Sequence, residues 1–111
     1  MARTRADLAK RALQKLSIVD ALEEPSAEDG AYVRSVYDDK LEELRDEGLV
    51  YWDANAVPEA VVPALVKIVA AEIGPAFGLP FDAALHDAGL QQLERHMARA
   101  ASGEQAEVLY Y

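Results

Sequence analysis

The chain has 111 residues, of which 51% are hydrophobic and 28% charged, so it is long enough for one folded domain and unlike a disordered segment in composition. It contains no cysteine, which excludes disulfides, thiol catalysis and cysteine-based zinc sites. The net charge of −9 argues against a dedicated duplex-DNA binder, because such proteins gain most of their affinity by neutralising phosphates.

No targeting or membrane segment is predicted from the sequence. The opening run MARTRADLAK lacks the apolar core of a secretion signal. The longest apolar stretch, AVVPALV at 60–66, is far shorter than the roughly 20 residues that a membrane helix needs. We therefore expect a soluble protein that is made in the cytosol and has no membrane partner.

Charge is unevenly distributed along the chain. Residues 1–15 hold five basic residues and one acid, for a net charge of +4. Residues 20–47 hold eleven acids and three basic residues, for a net charge of −8. A chain with a positive end and a negative middle is suited to pairing with copies of itself.

Two amphipathic helices are predicted in the first half of the chain. Thr4, followed three residues later by an acid, is a helix-capping pattern and predicts a first helix at about 5–16. Ser26 repeats the pattern before a second helix that ends near Gly48. The apolar faces consist of Leu8, Ala12, Leu13 and Leu16 in the first helix and of Val33, Val36, Tyr37, Leu41 and Leu44 in the second.

The middle of the chain contains a short β-favouring segment and then a very apolar helix. The run LVYWDANAVPE predicts a short extended piece or a small hairpin near 50–57. The helix that follows starts at Pro58 or near Val62, because Pro63 is tolerated only in a first turn, and it ends at Gly74. It is apolar on nearly every side, which predicts a central position in the fold.

A tight turn and a last helix follow. In the turn AFGLPFD, we expect Phe77, Leu79 and Phe81 to fill the end of the core. Asp82 caps a helix that runs to about Ala101. Its inward residues are predicted to be Leu85, Leu90, Leu93 and Met97.

These elements predict a mainly α protein, a small four-helix bundle over residues 1–101, followed by an extended C-terminal docking tail over residues 102–111. The tail ends on apolar and aromatic residues, whereas chain termini are usually small and polar. An extended peptide of this kind can add to a sheet edge of another protein, although it can also fold back on its own domain or fray. The predicted docking residues are Val108, Leu109, Tyr110 and Tyr111.

No pattern of residues indicates catalysis. His86 and His96 are ten residues apart on one predicted helix, about 80° around its axis and about 15 Å along it, so they cannot share a metal. The paired acids of the second helix keep helical spacing instead of the alternating spacing of a calcium loop. We expect a protein that is not an enzyme and uses no cofactor and no metal.

Tyr51 and Trp52 follow the end of the second helix and have two interpretations. They can form a lid over the core, or they can lie in a subunit contact, where such residues are enriched. Trp52 is included below among the candidate inter-subunit residues.

The runs RALQKLSIVDALEEPSAED and LEELRDEGLVYWDANAVPEAVVPALVKIVAAEIGPAFG resemble the head-tail adaptor proteins of tailed phages and of phage-derived gene transfer agents. These proteins are also called head completion or packaged-DNA-stabilisation proteins. The shared features are RAL and KL in the first helix, EEPSAED before a long acidic helix, EGL at its end, and a proline-initiated apolar helix that ends in FG. The resemblance covers about residues 4–80 and, more loosely, the last helix.

The resemblance implies a helical bundle that assembles into a ring, commonly of twelve copies, beneath the portal protein of a DNA-filled capsid. Such a ring lies at the head-tail junction of the virion and gives a platform for a downstream stopper or tail protein. It extends the channel, through which DNA passes without sequence-specific binding. The C-terminal segment of such proteins often anchors to the portal protein, which is the role that we infer for the end of this chain.

A ring requires contacts in which one side of each copy meets the opposite side of the next. We expect the basic first helix of one copy to meet the acidic second helix of its neighbour, while acids that face the channel repel DNA and let it slide. The candidate inter-subunit residues are Arg3, Arg5, Lys10, Arg11, Lys15, Asp38, Asp39, Glu42, Glu43, Asp46 and Trp52.

Two alternatives come from other functional classes. A small acidic DNA mimic that inhibits a DNA-binding protein requires acids in two phosphate-like rows on one surface. A helix-turn-helix regulator built from the first two helices is disfavoured by the acidic face of the second helix.

Overall fold

The computed structural model of the protein describes residues 2–20 and 23–109, and the side chains of 3–20 and 23–99. The fold is mainly helical, with little strand, as the sequence predicts. The four helices are α1 (Arg5–Lys15), α2 (Ala27–Asp46), α3 (Val62–Ile73) and α4 (Ala83–Leu109).

The caps predicted for α1 and α2 are present. The Thr4 hydroxyl accepts a hydrogen bond from the Asp7 N–H at 3.3 Å, and the Thr4 N–H donates to the Asp7 carboxylate at 3.3 Å. The Ser26 hydroxyl accepts from the Asp29 N–H at 3.1 Å. Each cap satisfies N–H groups that the first turn of a helix leaves without intrahelical partners.

The central helix of the bundle is α3, which packs against all three other helices. Nine of its twelve residues are buried. The helix starts at Val62, with Pro63 in its first turn, and a 3₁₀ turn over Glu59–Val61 leads into it. The later of the two predicted starts is therefore correct, because the proline ring fits only where no intrahelical partner is needed for its nitrogen.

A helical run of 19 residues, Glu59–Phe77, is long and apolar enough by composition to cross a membrane. It is longer than the apolar stretch seen in the sequence because 3₁₀ turns extend α3 at both ends. Most of it is buried inside the bundle. Burial of nine of the twelve residues of α3 accounts for this composition, and Pro63, Lys67 and Glu72 occupy the part of the helix that stays accessible.

The extended segment near 50–57 is not a hairpin. Its final residues begin β2 (Val57–Pro58), which pairs antiparallel with β1 (Ala2–Arg3), so that Arg3 lies opposite Val57. Of the two predicted alternatives, the short extended piece is therefore correct, and the hairpin is not formed because the pairing partner comes from the amino end of the chain. This two-stranded sheet connects the start of α1 to the start of α3.

The turn before α4 fills the core less than predicted. Phe77 packs against the core, whereas Leu79 and Phe81 are 40% and 49% exposed. The prediction is therefore wrong for Leu79 and Phe81. Gly78, at φ 83°, closes the turn, and the residues after it run along the surface to α4.

Close contact between α3 and α4 occurs at Gly89. A Cβ atom on this residue would lie 2.7 Å from the Ala64 carbonyl oxygen and 2.9 Å from Ile68 Cγ1. Leu93 is the one leucine of α4 that is fully buried within the described residues, while Leu85 and Leu90 pack against the core from its edge. The helices therefore pack with backbone close to backbone, which only a residue without a side chain permits.

The last helix is longer than predicted. It continues to Leu109, so the backbone of residues 102–109 is helical, which corrects the extended tail predicted there. Gly103 costs about 1 kcal/mol relative to alanine in a helix, but residues 104–107 are Glu, Gln, Ala and Glu, which are good helix formers. Tyr110 and Tyr111 lie outside the described residues.

The first two helices end in the same hydrogen-bond motif with different residues at its left-handed position. After α2, Gly48 at φ 79° donates its N–H to the carbonyl of Arg45 at 3.0 Å. After α1, Ser17 at φ 60° makes the equivalent bond to Gln14 at 3.0 Å. Because a left-handed conformation costs a residue with a Cβ about 1 to 2 kcal/mol, Ser17 is strained where Gly48 is not.

Replacing Gly89 by alanine is expected to destabilise the protein. The new methyl group would overlap the α3 backbone, which should lower the free energy of unfolding by about 1 to 3 kcal/mol even though alanine is the better helix former. Gly30→Ala is the matched control, because a Cβ there meets the movable end of Arg34 at 3.3 Å. Urea unfolding of both variants tests this, and equal stabilities would contradict the close packing.

Replacing Ser17 by glycine is expected to raise the free energy of unfolding by about 0.5 to 1 kcal/mol, because it removes the strain but increases the entropy of the unfolded chain. The reciprocal variant Gly48→Ser should lower it by a similar amount, since a Cβ there meets no atom within 4 Å and only the backbone angle opposes it. Thermal unfolding of the two variants should therefore shift in opposite directions. A shift in the same direction would refute this account.

Candidate interaction surfaces

The clearest contact between basic α1 and acidic α2 lies within one chain. Arg5 donates from Nε and Nη2 to the two carboxylate oxygens of Asp38, at 2.9 and 2.5 Å. The two side chains are 35% and 41% exposed, so the pair contributes about 1 kcal/mol or less. Its planar, two-point geometry fixes how α1 lies against α2.

Two further basic residues also have partners in their own chain. Lys10 Nζ lies 2.6 Å from Glu24 Oε1, and Arg3 Nε lies 2.8 Å from Glu59 Oε1. Three of the five basic residues assigned to a neighbouring subunit, and Asp38, are thus engaged locally. The contact predicted between copies has to depend on the charges that remain.

Five other basic residues line two grooves on three helices, and a hydrogen bond links the two grooves. Arg11 and Lys15 line a groove of about 390 Å³ between α1 and α3, together with Lys67. Lys67 Nζ donates at 2.9 Å to Gln92, which lines a second groove of about 480 Å³ with two arginines of α4. No acid is among the described residues that line either groove. We call this surface the basic strip, and it consists of Arg11, Lys15, Lys67, Arg95 and Arg99.

Acidic side chains cover the exposed side of α2. Four of them and the side chain of Glu47, which caps the C-terminus of the helix, lie within about 140° of the helix circumference, and all five are exposed. Weak ion pairs with neighbouring residues of α2 involve two of them, Glu43 with Lys40 at 3.5 Å and Glu42 with Arg45 at 4.0 Å. None of the five lines a groove of the basic strip. We call this surface the acidic face, and it consists of Asp39, Glu42, Glu43, Asp46 and Glu47.

Trp52 is a core residue. It is 5% exposed and belongs to the same buried cluster as α3, which corrects its assignment to a subunit contact. Tyr51 beside it is 59% exposed, and its hydroxyl lies 3.3 Å from His96 Nε2. The lid interpretation therefore holds for Trp52, while Tyr51 covers the joint between the loop and α4.

A group of ionisable side chains connects α2, α3 and α4. Glu72 lies 3.2 Å from Lys40 Nζ and 3.7 Å from His86 Nε2, and His86 Nδ1 lies 3.3 Å from Asp87. Within the described residues, no group of three or more His, Cys, Asp and Glu side chains is arranged to hold a metal ion. The contacts of His86 are those of a side chain that ties helices together.

Apolar side chains are exposed where α2 approaches the turn before α4. The rings of Tyr32 and Phe77 meet edge to face, with centroids 6.2 Å apart. Tyr32 is 42% exposed, and Leu79 and Phe81 are exposed to a similar degree. Three of the four exposed large apolar side chains among the described residues are therefore Tyr32, Leu79 and Phe81, and nothing in the structure indicates what covers them.

The predicted docking residues are described only in part. Val108 and Leu109 form the end of α4, and the structure describes their backbone alone. Tyr110 and Tyr111 lie outside the described residues, so their contacts stay a prediction.

The part of the basic strip that lies on α3 and α4 is only partly visible in the sequence. A spacing of four residues places Arg95 and Arg99 on one helical face, and this signal is visible in the sequence. Their alignment with α1 is not, because it depends on the antiparallel packing of α4 against α3 and on the Lys67 to Gln92 contact.

No protein-family model matches the sequence, and no curated protein matches it at a significant level.

Tyr37 is the most strongly perturbed titratable group among the described residues. It is buried, and its hydroxyl donates to the Ala54 carbonyl at 3.0 Å. Burial is the main reason that the pKa of Tyr37 is raised to about 12. The Trp52 indole has a smaller, lowering effect on this pKa, and the negative charge of Asp38 raises it. The buried Trp52 Nε1–H lies near the tyrosine without reaching hydrogen-bond geometry with any described group. The hydroxyl is thus held neutral and ties α2 to the loop after it.

The pKa of Tyr37 predicts a loss of stability in alkali. Below about pH 10 the side chain is neutral in both states, and between about pH 10 and 12 only the unfolded chain releases its proton, so the native state is progressively disfavoured. Between pH 8 and pH 11, the free energy of unfolding should fall by about 1.4 kcal/mol more in the wild type than in Tyr37→Phe. At neutral pH, the Tyr37→Phe substitution itself should lower the free energy of unfolding by about 1 kcal/mol. Urea unfolding at the two pH values measures the difference. Tyr51→Phe, at an exposed site, should behave like the wild type.

Proposed function

We propose that this protein is a structural, non-enzymatic head-tail adaptor of a phage or gene transfer agent particle. In this role it forms a ring, commonly of twelve copies in the proteins that it resembles, beneath the portal protein. The ring extends the DNA channel and gives a platform for a stopper or tail protein. The proposal starts from the resemblance in helix lengths and turn residues, and it is supported by the following features of the molecule.

The observation that carries the proposal is the length of α4. The helix has 27 residues, about 40 Å, whereas its packing partner α3 has 12 residues, about 18 Å. Gly89 packs near Ala64, and His96 lies against Tyr51. His96 is the last described side chain of α4 with a hydrogen bond or ring contact to another element, and the helix continues for about 20 Å beyond it.

An arm of this kind suits attachment to a larger assembly. The described part of the chain measures 53 × 28 × 24 Å, so the fold is elongated. The arm ends on Val-Leu-Tyr-Tyr, which is apolar and aromatic. In the proposed role, this end of α4 enters a groove of the portal protein as a helix, with its apolar residues as anchors.

The distribution of charge agrees with a ring better than with a DNA mimic. The acidic face is a single surface on one helix, and Asp38 beside it is paired with Arg5 of α1, whereas a mimic of duplex DNA requires two rows on one surface. The basic strip lies on other helices of the same molecule. Two different faces of opposite charge are what a head-to-tail contact between copies requires.

Deleting residues 107–111 is expected to abolish binding to the portal protein of the same particle. The bundle itself should keep its free energy of unfolding within about 0.5 kcal/mol, because residues 107–109 form the end of α4 that lies far from Gly89 and its contact with α3. Pull-down and electron microscopy with the portal protein measure the first effect, and urea unfolding measures the second.

A matched variant separates side-chain chemistry from chain length. Replacing Val108, Leu109, Tyr110 and Tyr111 by alternating Glu and Lys keeps the length and the helix-forming composition, and it should also abolish portal binding. If either variant still binds the portal protein, the arm is not the anchor. If the deletion unfolds the bundle, the segment belongs to the core.

A further inference from the structure

Two exposed surfaces of opposite charge lie on separate elements of the same chain. The acidic face lies on α2, and the basic strip crosses α1, α3 and α4. Arg11, Lys15, Asp39 and Asp46 form no ion pair with any described residue. These four charges are therefore available to a partner.

We propose that the basic strip of one copy binds the acidic face of the next copy, so that the subunits join head to tail. This inference rests on the proposed ring and identifies the surfaces that build it. It differs from a simple pairing of α1 with α2, because Arg3, Arg5 and Lys10 are held by acids of their own chain. Residues of α3 and α4 take their place.

A second copy is a better occupant of the basic strip than a nucleic acid. The chain carries a net charge of −9, and its acidic face would repel phosphates approaching the same molecule. Another copy, in contrast, presents five exposed acids along about 12 Å of one helix. Because the two surfaces differ, the contact is heterologous, and repeating it closes a ring if the rotation per subunit allows.

Salt concentration has to be chosen with the net charge in mind. At about 0.1 M salt the screening length is about 10 Å, so repulsion between whole subunits is weakened while charges in contact still attract. At about 1 M salt the length falls to about 3 Å, and the contact should weaken as well. Sedimentation of the wild type should therefore show self-association at about 0.1 M salt and about tenfold weaker self-association at about 1 M salt.

A charge exchange tests the inference directly. R11E/K15E reverses part of the basic strip, and D39K/D46K reverses part of the acidic face. Each variant alone should associate at least about tenfold more weakly than the wild type at 0.1 M salt. An equimolar mixture of the two should associate again, and so should the single chain that carries all four substitutions, whose net charge equals that of the wild type.

The matched control is D20K/E23K, which makes the same change of charge as D39K/D46K at exposed residues outside the acidic face. It should leave association unchanged. The inference is overturned if the mixture associates no better than its components, if the wild type stays monomeric at 0.1 M salt up to about millimolar concentration, or if the control weakens association equally. It is also overturned if R11E/K15E reduces retention of duplex DNA and leaves self-association intact.

Portal binding by the same variants separates this inference from the proposed function. Suppose that each charge-reversed variant still binds the portal protein, but that mixing the two variants does not restore self-association. That result would refute the subunit contact and leave the adaptor role standing. Association that follows the charge exchange in a protein with no affinity for the portal protein would support the contact and refute the adaptor role.

Discussion

Burial of α3 is the constraint on which the rest of the fold depends. A helix with nine of twelve residues buried needs neighbours on every side, and α1, α2 and α4 supply them. This leaves each outer helix with one inward stripe and one outward face, so the charged residues of the chain are confined to the outside. The absence of a side chain at Gly89 lets α4 come close enough to complete the cover.

Charged side chains in this protein fall into two groups, those paired within the chain and those exposed to solvent, and the sequence alone does not tell them apart. Some side-chain ion pairs connect one helix to another, such as Arg5 with Asp38 and Lys40 with Glu72. Other charged side chains remain exposed on the basic strip and the acidic face, where they add little to the stability of a single copy. The first group helps to define the shape that brings the second group onto two separate surfaces.

Local signals in the sequence predict most of the fold, because they depend on near neighbours. The caps at Thr4 and Ser26, the apolar faces of α1 and α2, and the central position of α3 all follow from residues a few positions apart. Pairing of β1 with β2, the exposure of Leu79 and the basic strip depend on residues far apart in the chain, so the sequence pattern misses them. The end of α4 beyond Ala101 was also missed, because the helix propensity of residues 104–107 outweighs the helix-breaking effect of Gly103.

The antiparallel contact between α3 and α4 has a mechanical consequence. Gly89 lies 20 residues before Leu109, so a pull on the far end of α4 reaches the bundle about 30 Å away, along the axis of the helix. A load in that direction shears the interlocked surfaces of both helices at once instead of peeling them apart residue by residue. Because a densely packed interior has low compressibility and transmits strain, the whole bundle would share such a load.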